Sequence, residues 1–302
     1  ALAMDRCDYI NYDAAIFTNL TEDHLDYHID MKNYLKAKLK LFSLLKQSYK
    51  KKKLAIININ TDYFKEIKNY IKKLDLKMVT YGLNERADYY AKIITLNSKY
   101  SEYEFYAKGK FISKVKLSLL GEFNVVNSLS VLAYAYEYKL DIEKVIKSLK
   151  RVQVSGRFEI VSSEKCPFIV AVDYSHTPDS LENILVESRK LKPNRVIVVF
   201  GCGGDRDRKK RPIMASIAEK YADISILTTD NQRTESIEQI MSDIEKGFTN
   251  SNYKKIIDRK EAIFEAIKEA KENDIVIIAG KGHETYQIFP DKTIHFDDKE
   301  VA

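Results

Sequence analysis

Short apolar runs alternate with helical stretches through the second half of the chain, and this alternation constrains the fold more than any other feature. The runs fall at 158–163, 168–173, 195–200, 224–229, 254–258 and 274–279, while helical spacing fills 178–191, 212–222, 235–248 and 260–272. Alternation of this kind predicts a mostly parallel sheet covered by helices. It sets in near Val154, so one domain is expected over 1–153 and a second over 154–302. The closing segment, Tyr286 to Asp298, alternates in polarity and contains Pro290-Asp291, which predicts a terminal hairpin.

The first half is also α/β. An apolar strand at 13–20 precedes a helix over 31–47. Leu54 to Ile59 predicts a strand, followed by a helix over 61–74 capped by Asn60 or Thr61. Met78 to Tyr81 is a further strand, closed by Gly82. From Tyr89 to Leu120 the period becomes two, which predicts antiparallel strands with a turn at Lys108-Gly109. Gly121-Glu122-Phe123-Asn124 opens an apolar helix to about Tyr138, and Asp141 caps another that ends near Lys150. Residues 1–12 hold no clear element.

The 302 residues, 45% hydrophobic and 31% charged, suffice for two soluble globular domains. No apolar run approaches the roughly 20 residues needed to span a bilayer, so no membrane insertion is expected. Ala1-Leu2-Ala3-Met4 is too short for a signal peptide. Cys7, Cys166 and Cys202 lack metal-ligand spacing, and free thiols point to a cytoplasmic location. The net charge of +6 is modest, and Lys50 to Lys53 reads as a solvated turn. Nucleic acid is not an expected partner, because an aromatic-interleaved basic stripe is missing.

Chemistry concentrates between Thr18 and Phe42. Glu22, Asp23, His24, Asp26, His28 and Asp30 fall within nine residues, just after the strand Ala14-Ala15-Ile16-Phe17. Such a cluster at the C-terminal end of a strand suits metal or phosphate chemistry; a solvated polar loop is the plain alternative. Thr18-Asn19-Leu20, Asp23-His24-Leu25-Asp26-Tyr27-His28 and Ala37-Lys38-x-x-Leu41-Phe42 resemble the Mur ligases, and further matches recur to the end of the chain. The resemblance implies the remainder of a central, ATPase-type α/β domain at 1–153 and a Rossmann-like, amino-acid-binding α/β domain at 154–302. The phosphate loop G-x-x-x-x-G-K-[ST] is not found. Gly280-Lys281-Gly282 imitates it but lacks the earlier glycine and the following hydroxyl. The sequence therefore reads as a fragment without the N-terminal domain and phosphate loop.

What the resemblance implies for single residues is as follows. Lys38 would be carbamylated, becoming an anion able to bind Mg²⁺, with His24 holding a second metal and Asp23, Asp26 and His28 around them. Imidazole is not a typical Mg²⁺ ligand. Asn127, in Asn124-Val125-Val126-Asn127, would contact adenine. Arg157, in Ser155-Gly156-Arg157-Phe158-Glu159, would lie near ATP, where a guanidinium fork suits phosphate; an interdomain salt bridge is the alternative. Asp173 would accept from ribose hydroxyls, with His176 beside it. The loop Thr229-Asp230-Asn231-Gln232-Arg233-Thr234-Glu235 resembles the D-N-P-R-x-E signature of the branch that adds meso-diaminopimelate. Arg206 and Arg233 would hold a carboxylate, Asn231 would offer an amide, Glu284 would receive the ammonium, and Gly280 would help hold the same amino acid. Gln232 stands where that branch has proline, which removes a fixed φ from the loop.

The resulting expectation is an ATP-dependent amide ligase of peptidoglycan precursor synthesis that uses ATP and Mg²⁺. Its substrates would be UDP-N-acetylmuramoyl-L-Ala-D-Glu and meso-diaminopimelate, joined through an acyl phosphate by a cytoplasmic monomer. The alternatives are a lysine-adding or folylpolyglutamate-type ligase on the same scaffold, or a binding module without catalysis. Phe200-Gly201-Cys202-Gly203-Gly204 has G-x-G-G spacing, not the dinucleotide fingerprint G-x-G-x-x-G, which disfavours an oxidoreductase.

Overall fold

The computed structural model describes residues 1–22, 25–250 and 252–302, without the side chain of residue 26. The chain divides into two compact units, Ala1–Gln153 and Val154–Ala302.

The first unit opens with a single 3-10 turn, Leu2–Met4, where no element is expected from the sequence. Six strands then form one sheet in sequential order: β1 (Ala14–Phe17), β2 (Leu54–Asn58), β3 (Lys77–Gly82), β4 (Tyr89–Leu96), β5 (Ser101–Ala107) and β6 (Lys110–Leu117). β1 to β4 pair in parallel and β4 to β6 pair antiparallel. The helices are α1 (Leu25–His28), α2 (Met31–Gln47), α3 (Phe64–Lys73), α4 (Glu122–Glu137) and α5 (Ile142–Leu149). Successive strand side chains face opposite ways, so β2 serves two cores. Leu54 and Ile56 pack with Leu129, Leu132 and Ala133 of α4. Ala55 and Ile57 pack with Phe42 and Leu45 of α2 and Ile67 and Ile71 of α3. Asp30 caps α2 by accepting from Asn33 N at 2.7 Å, and Asp141 caps α5 by accepting from Lys144 N at 3.1 Å. The expected cap of α3 by Asn60 or Thr61 is not made. That helix starts after Tyr63 without a side-chain cap, and Thr61 Oγ1 is buried with no hydrogen-bond partner. The stretch 59–63 turns instead, tied to the sheet by Ile59 N donating to Tyr81 O at 2.9 Å.

The second unit has β7 (Glu159–Ile160), β8 (Ile169–Asp173), β9 (Val196–Phe200), β10 (Ile224–Leu227), β11 (Tyr253–Lys255) and β12 (Ile275–Ala279) in the order β11-β10-β9-β12-β8-β7. Only β7 runs antiparallel, and it is two residues long where six were expected from the sequence. A hairpin of β13 (Tyr286–Ile288) and β14 (Thr293–His295) follows, as the alternation predicts. The helices are α6 (Pro178–Lys190), α7 (Lys210–Tyr221), α8 (Ile237–Glu245), α9 (Arg259–Glu269) and α10 (Asp298–Val301). α9 covers one face through Ala262, Ile263 and Ala266, which meet Val170, Val172, Ile197, Val199, Val276 and Ile278. Fully burying each of the valine and isoleucine side chains among these is worth about 1.5–3 kcal/mol. The chain winds from β9 to β11 in one direction and returns to place β12 between β9 and β8. That reversal is the place where a doubly wound sheet binds ligands, at the carboxyl ends of its strands. Loops 174–177, 201–209, 228–236 and 280–285 all leave those ends. Among the described residues, no helix is long and apolar enough to cross a membrane.

Candidate functional site

The loop after β12 is shaped by glycine. Gly280 has φ 120° and Gly282 has φ 55°, conformations that a Cβ disfavours. A Cβ on Gly282 would lie 2.7 Å from Tyr174 Cβ, and one on Gly156 would lie 2.2 Å from the Gly282 carbonyl carbon. The turn closes through Glu284 N donating to Lys281 O at 2.9 Å, and it sends Lys281 inward, where it is fully buried. Its ammonium donates to Asn231 Oδ1 at 3.4 Å and lies 3.5 Å from Glu284 Oε2 and 3.9 Å from Asp230 Oδ1. Asn231 Oδ1 also accepts from Ile288 N at 3.0 Å. Its Nδ2 therefore faces Glu284 Oε2, to which it donates at 2.9 Å. Asn231 and Glu284, both singled out in the sequence reading, are thus brought together, with the Lys281 ammonium beside them. Lys281 is the member that reading missed; a lysine between two glycines directly after a buried strand was the available signal.

Arg233 reaches the same loop cluster from the other side. Its backbone has φ 56° and its N donates to Ile288 O at 3.2 Å. Nη1 donates to Gly204 O at 2.7 Å and Asn231 O at 3.4 Å, and no carboxylate lies within ion-pair distance among the described residues. Gln232, at the proline position of the signature, donates from Nε2 to Glu235 O at 2.8 Å, so a side-chain bond closes the loop where a ring would stiffen it. Arg206 is exposed and donates only to the carbonyl of Asp205, at 2.9 Å; no bond joins it to Arg233, Asn231 or Glu284.

Two buried arginines fasten these loops. Arg211, fully buried, donates to Glu235 at 2.9 and 3.1 Å, to Asp243 at 3.0 Å and to Gly203 O at 3.3 Å. Arg211 first, then the Asp205 N–H, holds the Glu235 carboxyl below the usual carboxylate range against the effect of burial. Arg259 bonds Asp298 through Nε and Nη2, both at 2.7 Å, and donates to Thr229 O and Ala279 O at 3.2 and 3.0 Å. It so joins the ends of β10 and β12. In the sequence Arg211 hides in the charge run Lys209-Lys210-Arg211, which resembles a solvated helix start.

Asp173 ends β8 and is turned into the protein. Oδ2 accepts from Phe158 N at 2.7 Å and Oδ1 from Ser175 N at 2.8 Å, with the Ser175 hydroxyl also on Oδ1. Burial pushes its carboxyl up against the pull of these donors. With both oxygens engaged and 5% exposure, Asp173 here anchors the 156–158 turn. That turn carries Arg157, which is exposed and lies over the Tyr174 ring at 4.6 Å. His176 Nδ1 meets Tyr174 O at 2.8 Å, and its ring sits edge-on to Tyr174 at 4.6 Å. Pro178 starts α6 behind a capping box of Thr177 and Ser180.

In the first unit, the Lys38 ammonium donates to Asn19 O at 3.4 Å and faces the rings of Tyr34 at 5.0 Å and Phe17 at 5.9 Å. His28 stacks on Tyr34 at 4.6 Å. His24 and Asp23 lie outside the described residues, as does the side chain of Asp26. A carbonyl oxygen and two π faces fit a cation on Lys38. No group of three His, Cys, Asp or Glu able to hold a metal occurs among the described residues, so they do not of themselves build the expected Mg²⁺ site. Asn127 is exposed and lines a pocket of about 420 Å³ with Leu117, Leu119, Val131, Val145 and Leu149. Asn124 is buried and donates to Leu120 O at 2.8 Å, while Gly121, with φ 87°, takes the N-cap position.

Two α/β units in tandem, the second presenting both cationic and anionic side chains at a topological switch point, define a two-domain α/β protein. The Mur ligase middle domain matches residues 1–135, and the Mur ligase glutamate ligase domain matches residues 156–282. The chain belongs to the Mur ligase family. It is 44% identical to UDP-N-acetylmuramoyl-L-alanyl-D-glutamate–2,6-diaminopimelate ligase 1 of Clostridium acetobutylicum, over 100% of this chain and 61% of that protein. Identity is 45%, with the same shares covered, to the like-named ligase of Halalkalibacterium halodurans. The chain thus spans about three-fifths of the length of these relatives. A solved structure of a UDP-N-acetylmuramoyl-L-alanyl-D-glutamate–2,6-diaminopimelate ligase superposes with TM-score 0.62 at 33% identity, covering 99% of this chain and 61% of that one. The Mycobacterium tuberculosis folylpolyglutamate synthase shares the fold, with TM-score 0.75 at 17% identity over 90% of this chain and 62% of that one.

Proposed function

We propose that this chain carries the nucleotide- and amino-acid-binding parts of an ATP-dependent ligase that joins meso-diaminopimelate to UDP-N-acetylmuramoyl-L-Ala-D-Glu. The observation that supports this reading most is the loop cluster at the carboxyl ends of β9, β10 and β12. There Arg233, a guanidinium without a carboxylate partner among the described residues, lies on the same short loop as Asn231, which is bonded to Glu284 at 2.9 Å. The distal end of diaminopimelate carries one carboxylate and one ammonium, and the two side chains match them in charge. Arg206 extends the cationic side, and Gly280 lets the backbone approach the ligand.

In the proposed reaction the substrate carboxylate attacks the γ-phosphorus of ATP, releasing ADP and forming an acyl phosphate. The free amine of diaminopimelate then attacks the acyl carbon; phosphate leaves and the amine loses a proton, giving the amide. Asn127 would take the adenine at the apolar pocket of the first unit. Arg157 and His176 would serve ATP, with Asp173 holding the turn that carries Arg157. The contribution expected of the chain's own residues is positioning, which alone can supply several kcal/mol of a barrier. Calorimetric titration of meso-diaminopimelate into the 302-residue chain tests the amino-acid site. Saturable binding that L-lysine matches only at concentrations at least tenfold higher is expected; equal binding of the two removes the carboxylate-reading role.

A further inference from the structure

Glu235 belongs to the signature loop, yet the reaction proposed above gives it no task. Its carboxylate is a junction. It takes two bonds from the buried Arg211, an ion pair at 2.8 Å from Arg208, and a 2.6 Å hydrogen bond from Asp205 N. Asp205 immediately precedes Arg206, and Glu235 follows Arg233 by two residues. The two loops are laced further by Thr234 Oγ1 donating to Asp205 at 2.8 Å and Gly204 N donating to Asn231 O at 2.9 Å. Arg211 supplies the rigid end: it starts from α7, is fully buried, and is also fixed by Asp243 of α8. Arg208 is itself largely exposed, so it adds less than Arg211.

We propose that the Arg211–Glu235 pair is a positioning and specificity-determining clamp: it sets the separation of Arg206 and Arg233, and so the reading of the distal carboxylate, without touching the substrate. This rests on the amino-acid-site reading above. The physical reason is that a carboxylate is held by paired donors only when both guanidinium groups are in register, and loops drift unless their spacing is imposed from below. A clamp of this kind acts on one end of the ligand. It differs from a general stabiliser of the domain, whose loss would weaken every ligand alike.

The test is calorimetry on the 302-residue chain with meso-diaminopimelate and with L-lysine, which lacks the distal carboxylate. Glu235→Ala should weaken diaminopimelate at least tenfold and lysine less than threefold. Glu235→Gln, which keeps an acceptor for the Asp205 N–H and is the milder change to folding, should weaken diaminopimelate about threefold and leave lysine unchanged. In the Arg233→Ala background, adding Glu235→Ala should cost diaminopimelate less than a further threefold, because the clamp then has one arginine fewer to position. Equal losses for the two ligands in either Glu235 variant, or full additivity with Arg233→Ala, overturns the clamp. A parent chain that binds both ligands equally overturns the amino-acid-site reading itself and the clamp with it.

Discussion

Replacing Arg233 with alanine separates an internal job, seen in the structure, from a proposed one. The first is internal: Nη1 ties the loop after β10 to Gly204 O at 2.7 Å, across to the loop after β9. A net contribution of about 0.5–1.5 kcal/mol is typical of such a bond. Its loss should lower the melting temperature of the chain by a few degrees, at about 2–4 °C per kcal/mol for a unit of this size. The positive φ of 56° persists in the alanine variant, so backbone strain is not relieved and does not offset this. The second job is proposed: the remaining donors bind the distal carboxylate of diaminopimelate. A charge-assisted bond is worth about 1.5–3 kcal/mol, or roughly 10- to 150-fold in affinity. The internal tie affects all ligands; the external one affects only those with a distal carboxylate. Calorimetry of the parent and Arg233→Ala with diaminopimelate and lysine should therefore show a loss of at least tenfold for the first and at most a few-fold for the second. Equal losses would show that Arg233 only supports the loop.

Four further outcomes are expected. Gln232→Pro should leave diaminopimelate affinity within about threefold of the parent, because a fixed φ replaces the bond to Glu235 O; a larger loss in calorimetry shows that the side-chain bond shapes the loop. If Lys38 carries the proposed carbamate in the working ligase, Lys38→Ala should cripple turnover and added short carboxylates should restore part of it; activity within a few-fold of the parent removes the role. Glu137 supplies a pH signature: burial alone would raise its carboxyl, but Lys108, Lys77 and the Tyr89 hydroxyl hold it down to about 2 from an ordinary 4.5. Its contribution, on the order of 2–3 kcal/mol, is thus complete above pH 4.5 and is lost as pH falls toward 2. The melting-temperature gap between parent and Glu137→Gln should be wide at pH 7 and narrow at pH 3, and a constant gap contradicts the assignment. Arg211→Met should destabilise the second unit by about 3–5 kcal/mol in urea unfolding, since it leaves Glu235 and Asp243 without their buried cation; a change under 1 kcal/mol contradicts that role.

The sequence discloses most where a single physical rule acts alone. The apolar runs at 195–200 and 274–279 read as strands, and β9 and β12 are buried strands there. The change of period at Tyr89 announced the antiparallel strands β4 to β6. Legibility fails where a residue's partner is distant in sequence. Glu137 finds Lys77 sixty residues away, and Arg259 finds Asp298 thirty-nine away, so neither pairing is visible along the chain. The partners of Lys281 at Asn231 and of Arg211 at Asp243 are likewise far along the chain. Asp173 was legible as a polar strand end, but its saturation by Phe158 N and Ser175 depends on a turn that only the fold creates. Arg206 was grouped with Arg233 on chemistry; their loops do meet, through Asp205, Thr234, Glu235 and the Arg233 guanidinium on Gly204 O, but no bond joins the two guanidinium groups.

The central claim is that these residues serve amide formation with diaminopimelate. Its most direct test joins this chain to the part of the Clostridium acetobutylicum relative that it does not cover, using that relative intact as the positive control. The joined protein receives ATP, UDP-N-acetylmuramoyl-L-Ala-D-Glu and meso-diaminopimelate, and product mass and phosphate release are followed together. One phosphate released for each new amide, dependent on diaminopimelate and supported far less by lysine, is the predicted result. A folded protein that yields no diaminopimelate-dependent product while the control does would contradict it.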